Sequence, residues 1–248
     1  MAEWIYGRNA VYETLRAGRR KFHQLKIAKG VKDTAQLETI KGLSAQKGVA
    51  IEEVARPELD KLSSGHQGLA LQVGDYPYSD IGDMLTLAHQ RREPPFLLLL
   101  DTLQDPQNLG TLLRSAEAVG VHGVVLPHRR TATVTPAVVN ASSGASEHLL
   151  ISQDNLAQTI ALLKGENVWI IGLEGSDGAQ PVGEVKLDGP LALVVGSEGE
   201  GMRRLVRESC DVLLALPMRG QIESLNAAVA GSIVLYMAWL ARNQSADG

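Results

Sequence analysis

From Phe96 onward, short apolar runs alternate with helical patterns. Phe96–Leu100, Gly123–Leu126, Leu149–Ser152, Val168–Leu173, Leu191–Val195 and Val212–Leu216 read as strands, most of them apolar enough to be buried on both faces. Helical periodicity fills the gaps near Leu109–Val119, Pro136–Ala141, Leu156–Leu163, Met202–Glu208 and Ser224–Leu240. This alternation predicts βαβ units and a mainly parallel sheet. The last helix is apolar nearly all round, carrying Val229, Ile233, Val234, Tyr236, Met237, Trp239 and Leu240. It needs cover on several sides, from a core or from a second subunit.

The first 75 residues follow a different rhythm. Trp4–Tyr6, Leu25–Ala28, Val49–Val54 and Gly68–Val73 predict strands. Arg8–Ala17, Ala35–Gln46 and Pro57–Leu62 predict helices, the first two stopped by Gly18 and Gly48. Together they make a small α/β sandwich. Asp80–Arg92 reads as one polar helix, broken by Glu93-Pro-Pro95. Domains are therefore expected at 1–75 and 94–248, joined by a linker and helix over 76–93.

Composition narrows the class. Hydrophobic residues at 44% and charged residues at 21% describe an ordinary globular protein. A single cysteine, Cys210, excludes an internal disulfide and a cysteine-based metal cluster, and the six histidines lack ligand spacing, so no metal is expected. The opening Met1-Ala-Glu-Trp4 has neither the basic start nor the apolar run of an export signal. The longest apolar run, 227–241, is interrupted by Gly231-Ser232 and is short against the roughly 20 residues of a membrane span. The expectation is a cytoplasmic protein with no membrane partner.

Charge is uneven although the total is only −4. Residues 1–32 carry Arg8, Arg16, Arg19, Arg20, Lys21, Lys26, Lys29 and Lys32 against Glu3 and Glu13, a balance of +6. Residues 76–248 hold 12 basic and 19 acidic residues. A basic head on an acidic body points to a polyanion at the head, with Arg8, Arg19, Arg20 and Lys21 as its candidate contacts. A solvated helix face and loop would leave the same trace.

Three loops carry candidate chemistry, and each follows a buried strand, where ligands bind in open α/β sheets. In Asn108-Leu-Gly-Thr-Leu-Leu-Arg114, Asn108 fits a helix N-cap, and Gly110 lies one turn before Arg114 and clears space for its guanidinium. In Gly196-Ser-Glu-Gly-Glu-Gly201, Gly196, Gly199 and Gly201 allow positive φ and close backbone approach to a ligand. The spacing is neither Gly-x-Gly-x-x-Gly nor a nucleotide-triphosphate loop, and Glu198 would repel phosphate. Ser224-Leu-Asn226 opens the last helix, with Ser224 as a natural cap. Asp101 caps at most a backbone loop, and His66-Gln-Gly68 reads as a turn in the head.

Taken together these residues resemble the SpoU–TrmH family of S-adenosylmethionine-dependent RNA 2′-O-ribose methyltransferases. Its three motifs match Asn108-x-Gly-x₃-Arg114, Gly196-Ser-Glu-Gly-x-Gly201, and Leu216-Pro-Met with Ser224-Leu-Asn226. Tyr6-Gly-Arg-Asn-Ala-Val-Tyr-Glu-Thr-Leu15 and His66-Gln-Gly68 are similar to the L30-like RNA-binding domain of the RlmB-like branch, which methylates a guanosine of 23S rRNA. The resemblance implies an α/β-knot (SPOUT) domain, a parallel sheet tied in a deep trefoil knot. It also implies a homodimer joined through the last helix. S-adenosylmethionine would lie in the knot against Gly196, Leu216 and Leu225, with Gly175 and Ile222 as further contacts. The family assigns activation of the 2′-hydroxyl to the first-motif arginine, here Arg114. Asn108 and Glu198 would hold it, and Ser224 and Asn226 would position the ribose. An arginine ordinarily keeps its proton, so two roles stay open for Arg114, a base or a cation that stabilises the developing alkoxide. The alternatives are a tRNA ribose 2′-O-methyltransferase of the same family, or a non-catalytic RNA-binding module.

Overall fold

The two rhythms of the chain build two separate sheets. A computed structural model describes residues 2–246 except 177, 198 and 223. Elements are numbered along the chain, and two compact units are distinguished.

The first unit comprises Met1–Pro77 together with Val134–His148. Strands β1 (Glu3–Tyr6), β2 (Phe22–Ala28), β3 (Ala50–Val54) and β4 (Leu69–Val73) form a sheet in the order β1-β4-β2-β3. Only the β2–β3 pair is parallel. Helices α1 (Arg8–Ala17), α2 (Ala35–Gln46) and α3 (Arg56–Asp60) connect them. Gly18, at φ 66°, ends α1, and the Thr34 side chain caps α2 by accepting from Leu37 N–H. The apolar stripe of α1, Val11 and Leu15, is buried along with Ile5, Leu25 and Leu71.

The later segment of this unit, 134–148, supplies α6 (Pro136–Ala141) and a 3₁₀ turn, Ala145–Glu147. Asn140 Nδ2 donates to the Tyr6 carbonyl at 2.9 Å. Tyr76 donates its hydroxyl to the Ser146 carbonyl at 2.8 Å, and burial pushes that hydroxyl's pKa above the ordinary tyrosine value. The unit thus takes in residues well outside the 1–75 range expected from sequence.

The second unit, Tyr78–Thr133 and Leu149–Gly248, is built on seven parallel strands. They are β5 (Phe96–Leu100), β6 (Gly123–Pro127), β7 (Ile151–Asp154), β8 (Trp169–Leu173), β9 (Gln180–Pro181), β10 (Leu191–Val195) and β11 (Val212–Ala215). Their order is β7-β6-β5-β10-β8-β11-β9. The helices are α4 (Ile81–Arg91), α5 (Pro106–Ala118), α7 (Leu156–Gly165), α8 (Arg204–Glu208) and α9 (Ala227–Ala246). Every residue of β5, β6 and β10 is buried, which explains their unbroken apolar runs. One face of the sheet packs Met84 of α4, Leu156, Ile160 and Leu163 of α7, and Val206 of α8. Elsewhere α5 packs against α9, and α9 reaches β10. A Cβ on Gly231 would lie 2.7 Å from Leu112 Cδ2, so this glycine lets the two helices approach closely.

The chain runs outward from β5 through β6 to β7, then returns to lay β8, β10 and β11 on the other side of β5. The order in which strands are laid down therefore reverses at β5–β10, the kind of switch point beside which open sheets bind ligands.

Candidate functional site

The loops that leave β8, β10 and β11 surround a cavity of about 880 Å³. Gly175 and Ser176 come from the first loop, Gly196, Ser197 and Gly199 to Met202 from the second, and Leu216 and Met218 from the third. Ser224, Leu225 and Asn226 close it ahead of α9. Gly175, Gly196, Gly199, Gly201, Leu216 and Leu225 all line it. Ile222 does not; it is 64% exposed.

The glycine loop is a tight hairpin. Ser197 N–H donates to the Gly201 carbonyl and Gly201 N–H to the Ser197 carbonyl, each at 3.1 Å. Gly199 and Gly201 have φ of 84° and 67°, which favour glycine. Gly196 is required for a different reason. A Cβ there would stand 2.3 Å from the Gly201 carbonyl carbon and 2.5 Å from Met202 N. Just after the hairpin, Asp101 at the end of β5 accepts from Arg203 N–H and from Arg203 Nε, each at 2.7 Å. Asp101 is fully buried, so this clamp fixes the loop's exit to the sheet.

Two caps differ from expectation. Helix α5 starts at Pro106 and is capped by Asp105, whose carboxylate accepts from Gln107 N–H at 3.1 Å. Proline suits the first helical position because it lacks an N–H and fixes φ, so Asn108 falls inside the first turn. Helix α9 starts after Asn226, not at Ser224. Asn226 Oδ1 accepts from Ala228 N–H and Val229 N–H at 2.9 and 3.0 Å. Its Nδ2 donates to Asn108 Oδ1 at 3.1 Å, which joins the starts of the two helices. Arg114 is exposed on α5 and is not among the residues lining the cavity. Glu198, its expected partner, lies outside the described residues.

Sequence reading missed Glu174 and Arg207, which also line the cavity. Glu174 follows a buried strand, so the strand-end rule singles it out; Arg207 had no such signal. Cys210 packs near Gly172, and burial pushes its thiol up to about 12, so it stays protonated and is no nucleophile.

Within the first unit, the expected basic contacts separate. Arg20 is buried, with a side chain of 0% exposure. It donates to Glu147 from Nε and Nη2 at 2.8–3.1 Å and to Glu3 at 3.0 Å. Its guanidinium stacks 4.9 Å from the Tyr76 ring centroid. A guanidinium without exposed surface cannot meet phosphate, which corrects its assignment as an RNA contact. Arg19 is half-buried and donates to Tyr76 Oη and the Pro77 carbonyl, whereas Lys21 is exposed. Arg8 is half-buried at the start of α1, donating from Nη1 to Thr34 Oγ1 at 3.1 Å and from Nε to the Gln67 carbonyl at 3.5 Å.

The SpoU rRNA methylase family model matches residues 95–236. The chain belongs to the SpoU rRNA methylase family. A second model, for RNA 2′-O ribose methyltransferase substrate binding, matches residues 4–79. The chain is 41% identical over 243 residues to the putative TrmH family tRNA/rRNA methyltransferase YacO of Bacillus subtilis, covering 97% of this chain and 96% of that one. It is 42% identical over 244 residues to the 23S rRNA (guanosine-2′-O-)-methyltransferase RlmB of Escherichia coli, covering 96% and 98%. The same fold is found in the SpoU methyltransferase AviRb from Streptomyces viridochromogenes, solved in complex with AdoMet. That match has a TM-score of 0.80 at 22% identity and covers 100% of this chain and 92% of that one. As a SpoU methylase this chain is an RNA methyltransferase. No group that could hold a metal ion is found among the described residues, and no helix among them is long and apolar enough to cross a membrane.

Proposed function

We propose that this SpoU methylase transfers a methyl group from S-adenosylmethionine to the ribose 2′-hydroxyl of a guanosine in 23S rRNA. The observation that carries the reading is the cavity at the ends of β8, β10 and β11, walled by the motif glycines and closed by Ser224 to Asn226. Its volume falls within the roughly 300–1,000 Å³ of small-molecule clefts. Nothing lies within 4 Å of a Cβ built on Gly175, Gly199 or Gly201, so backbone is open to a ligand there, and Leu216 and Leu225 supply apolar wall. The donor, when bound, supplies a methyl group already activated on a sulfonium. What remains for the chain is the nucleophile. Arg114 removes the 2′-hydroxyl proton or, as a cation, stabilises the developing alkoxide. Asn226 has both ends of its amide engaged, so it holds the wall between α5 and α9, leaving Ser224 to meet the ribose.

The first unit serves as the RNA-binding head. Support comes from the end of its sheet where β1, β2 and β3 finish and β4 begins. Lys29, Lys32 and Lys61 are exposed in the loops there and Arg56 at the start of α3, beside an anchored Arg8. A trefoil knot, a homodimer through α9 and action in the cytoplasm complete the proposal. Mapping 2′-O-methyl sites in ribosomal and transfer RNA, with and without the gene, tests it. Loss of one guanosine mark in 23S rRNA is expected; loss of a tRNA mark instead would move the substrate.

A further inference from the structure

The cavity contains an ion pair that the methyl-transfer residues do not use. Glu174 and Ser176 after β8, and Arg207 on α8, all line it. Arg207 Nε donates to Glu174 Oε1 at 2.7 Å, and Nη2 donates to Ser176 Oγ at 3.1 Å. Glu174 is held through its backbone, whose N–H donates to the Leu214 carbonyl at 3.0 Å. That leaves Glu174 Oε2 and Arg207 Nη1 without a protein partner among the described residues. Helix α8 packs with α7, whereas Asn108, Ser224 and Asn226 belong to the starts of α5 and α9. The pair is therefore carried by different elements from the residues that would receive the ribose, although all of them face one cavity.

We propose that Glu174 and Arg207 together bind the amino-acid end of the methyl donor. Arg207 Nη1 donates to its α-carboxylate, and Glu174 Oε2 accepts from its α-ammonium. The inference rests on the donor-site reading above. That end of the donor is a zwitterion, an anion and a cation a few ångströms apart. A guanidinium beside a carboxylate presents the complementary pair, and their own hydrogen bond fixes the spacing. A part-exposed ion pair contributes little stability by itself, whereas a zwitterionic ligand in the cavity would use both of its charges. The donor's ribose diol would engage Glu174 alone and leave Arg207 only to hold Glu174 in place, with its own charge unused by the ligand.

Two ligands separate these cases in calorimetric titrations of the full chain. S-adenosylhomocysteine keeps the amino-acid end; 5′-methylthioadenosine keeps the adenosine and thioether but lacks it. The wild-type chain should bind both. Arg207→Gln and Glu174→Gln should each weaken S-adenosylhomocysteine on the order of tenfold or more while moving 5′-methylthioadenosine by less than about twofold. Arg207→Lys, which keeps the charge without the planar fork, should lose an intermediate amount of S-adenosylhomocysteine affinity only. Equal weakening of both ligands would overturn the proposal in favour of a ribose or scaffold role, and unchanged affinity for both would overturn it outright. If the wild-type chain binds neither ligand, the donor-site reading itself fails and this assignment falls with it.

Discussion

Asn226 uses both ends of one amide, and that explains why this position is Asn and not Asp. Either residue can cap α9 through a side-chain oxygen, but only the amide can donate to Asn108. Asn226→Asp should keep α9 capped, with a melting temperature close to wild type, yet lower the single-turnover methylation rate by about tenfold or more as the wall between α5 and α9 loosens. Thermal melts read alongside single-turnover assays check both parts. Arg114→Ala should lower that rate by at least about 10²-fold. Donor affinity should stay within a few-fold, because Arg114 is not part of the cavity lining. Arg114→Lys should fail too, for want of the planar fork; near-normal turnover in either variant would remove Arg114 from catalysis. The loop glycines are not equivalent. Gly196→Ala forces the hairpin open and should weaken S-adenosylhomocysteine by roughly tenfold or more. Gly199→Ala meets open space and should cost only the ~1–2 kcal/mol of a left-handed backbone. Titration and melting of the two variants side by side would expose a reversed order.

Helix α9 looks uniformly apolar in sequence but has two different faces. Ala228, Gly231, Val234, Leu235 and Ala238 are buried. Val229, Ile233, Tyr236 and Leu240 recur three and four residues apart on the other side and are 39–50% exposed, with Trp239 edge-on to Tyr236. Such a stripe on an exposed helix suits a protein partner, and in the proposed dimer a second copy covers it. Ile233→Asp with Tyr236→Asp should leave the donor cavity intact, because neither side chain lines it, yet halve the mass measured by analytical ultracentrifugation. A wild-type chain that sediments as a monomer would rule the dimer out.

Across the first unit, burial redistributes the basic charge that the sequence concentrates near its start. Arg20 and Glu147, 127 positions apart, form a fully buried ion pair. Removing one partner of such a pair strands the other charge and typically costs ~3–5 kcal/mol. Arg20→Met should therefore lower the melting temperature sharply, and any loss of RNA affinity would follow from unfolding. Neutralising the exposed Lys29, Lys32, Arg56 and Lys61 should leave stability nearly unchanged. It should flatten the dependence of RNA affinity on log salt by about 0.7–0.9 for each phosphate no longer neutralised. RNA affinity at several salt concentrations for both variants distinguishes them; an unflattened slope in the second would place the RNA elsewhere. A fragment of residues 94–248 would also keep Glu147 and discard Arg20, so it is a poor test of the catalytic unit alone.

Regular elements were legible because each rests on local periodicity. The predicted ranges of α1, α2, α6, β5 and β10 coincide with the observed ones, and the first two motif loops do follow buried strands, whereas β11, ahead of the third, is buried only at Leu214. Gly196, Gly199, Gly201, Leu216 and Leu225 were singled out in sequence by the glycine pattern and the resemblance, and they come together along one cavity. Three features were not legible, because each depends on partners far apart in the chain. Strand β10 inserts between β5 and β8, a matter of long-range pairing that no local pattern encodes. Arg207 reaches Glu174 across 33 positions, and Arg20 reaches Glu147 across 127. A charge written in sequence carries no record of its desolvation. Burial alone converts Arg20 from an expected phosphate contact into an internal strut, and packing alone gives α9 one covered face and one open face.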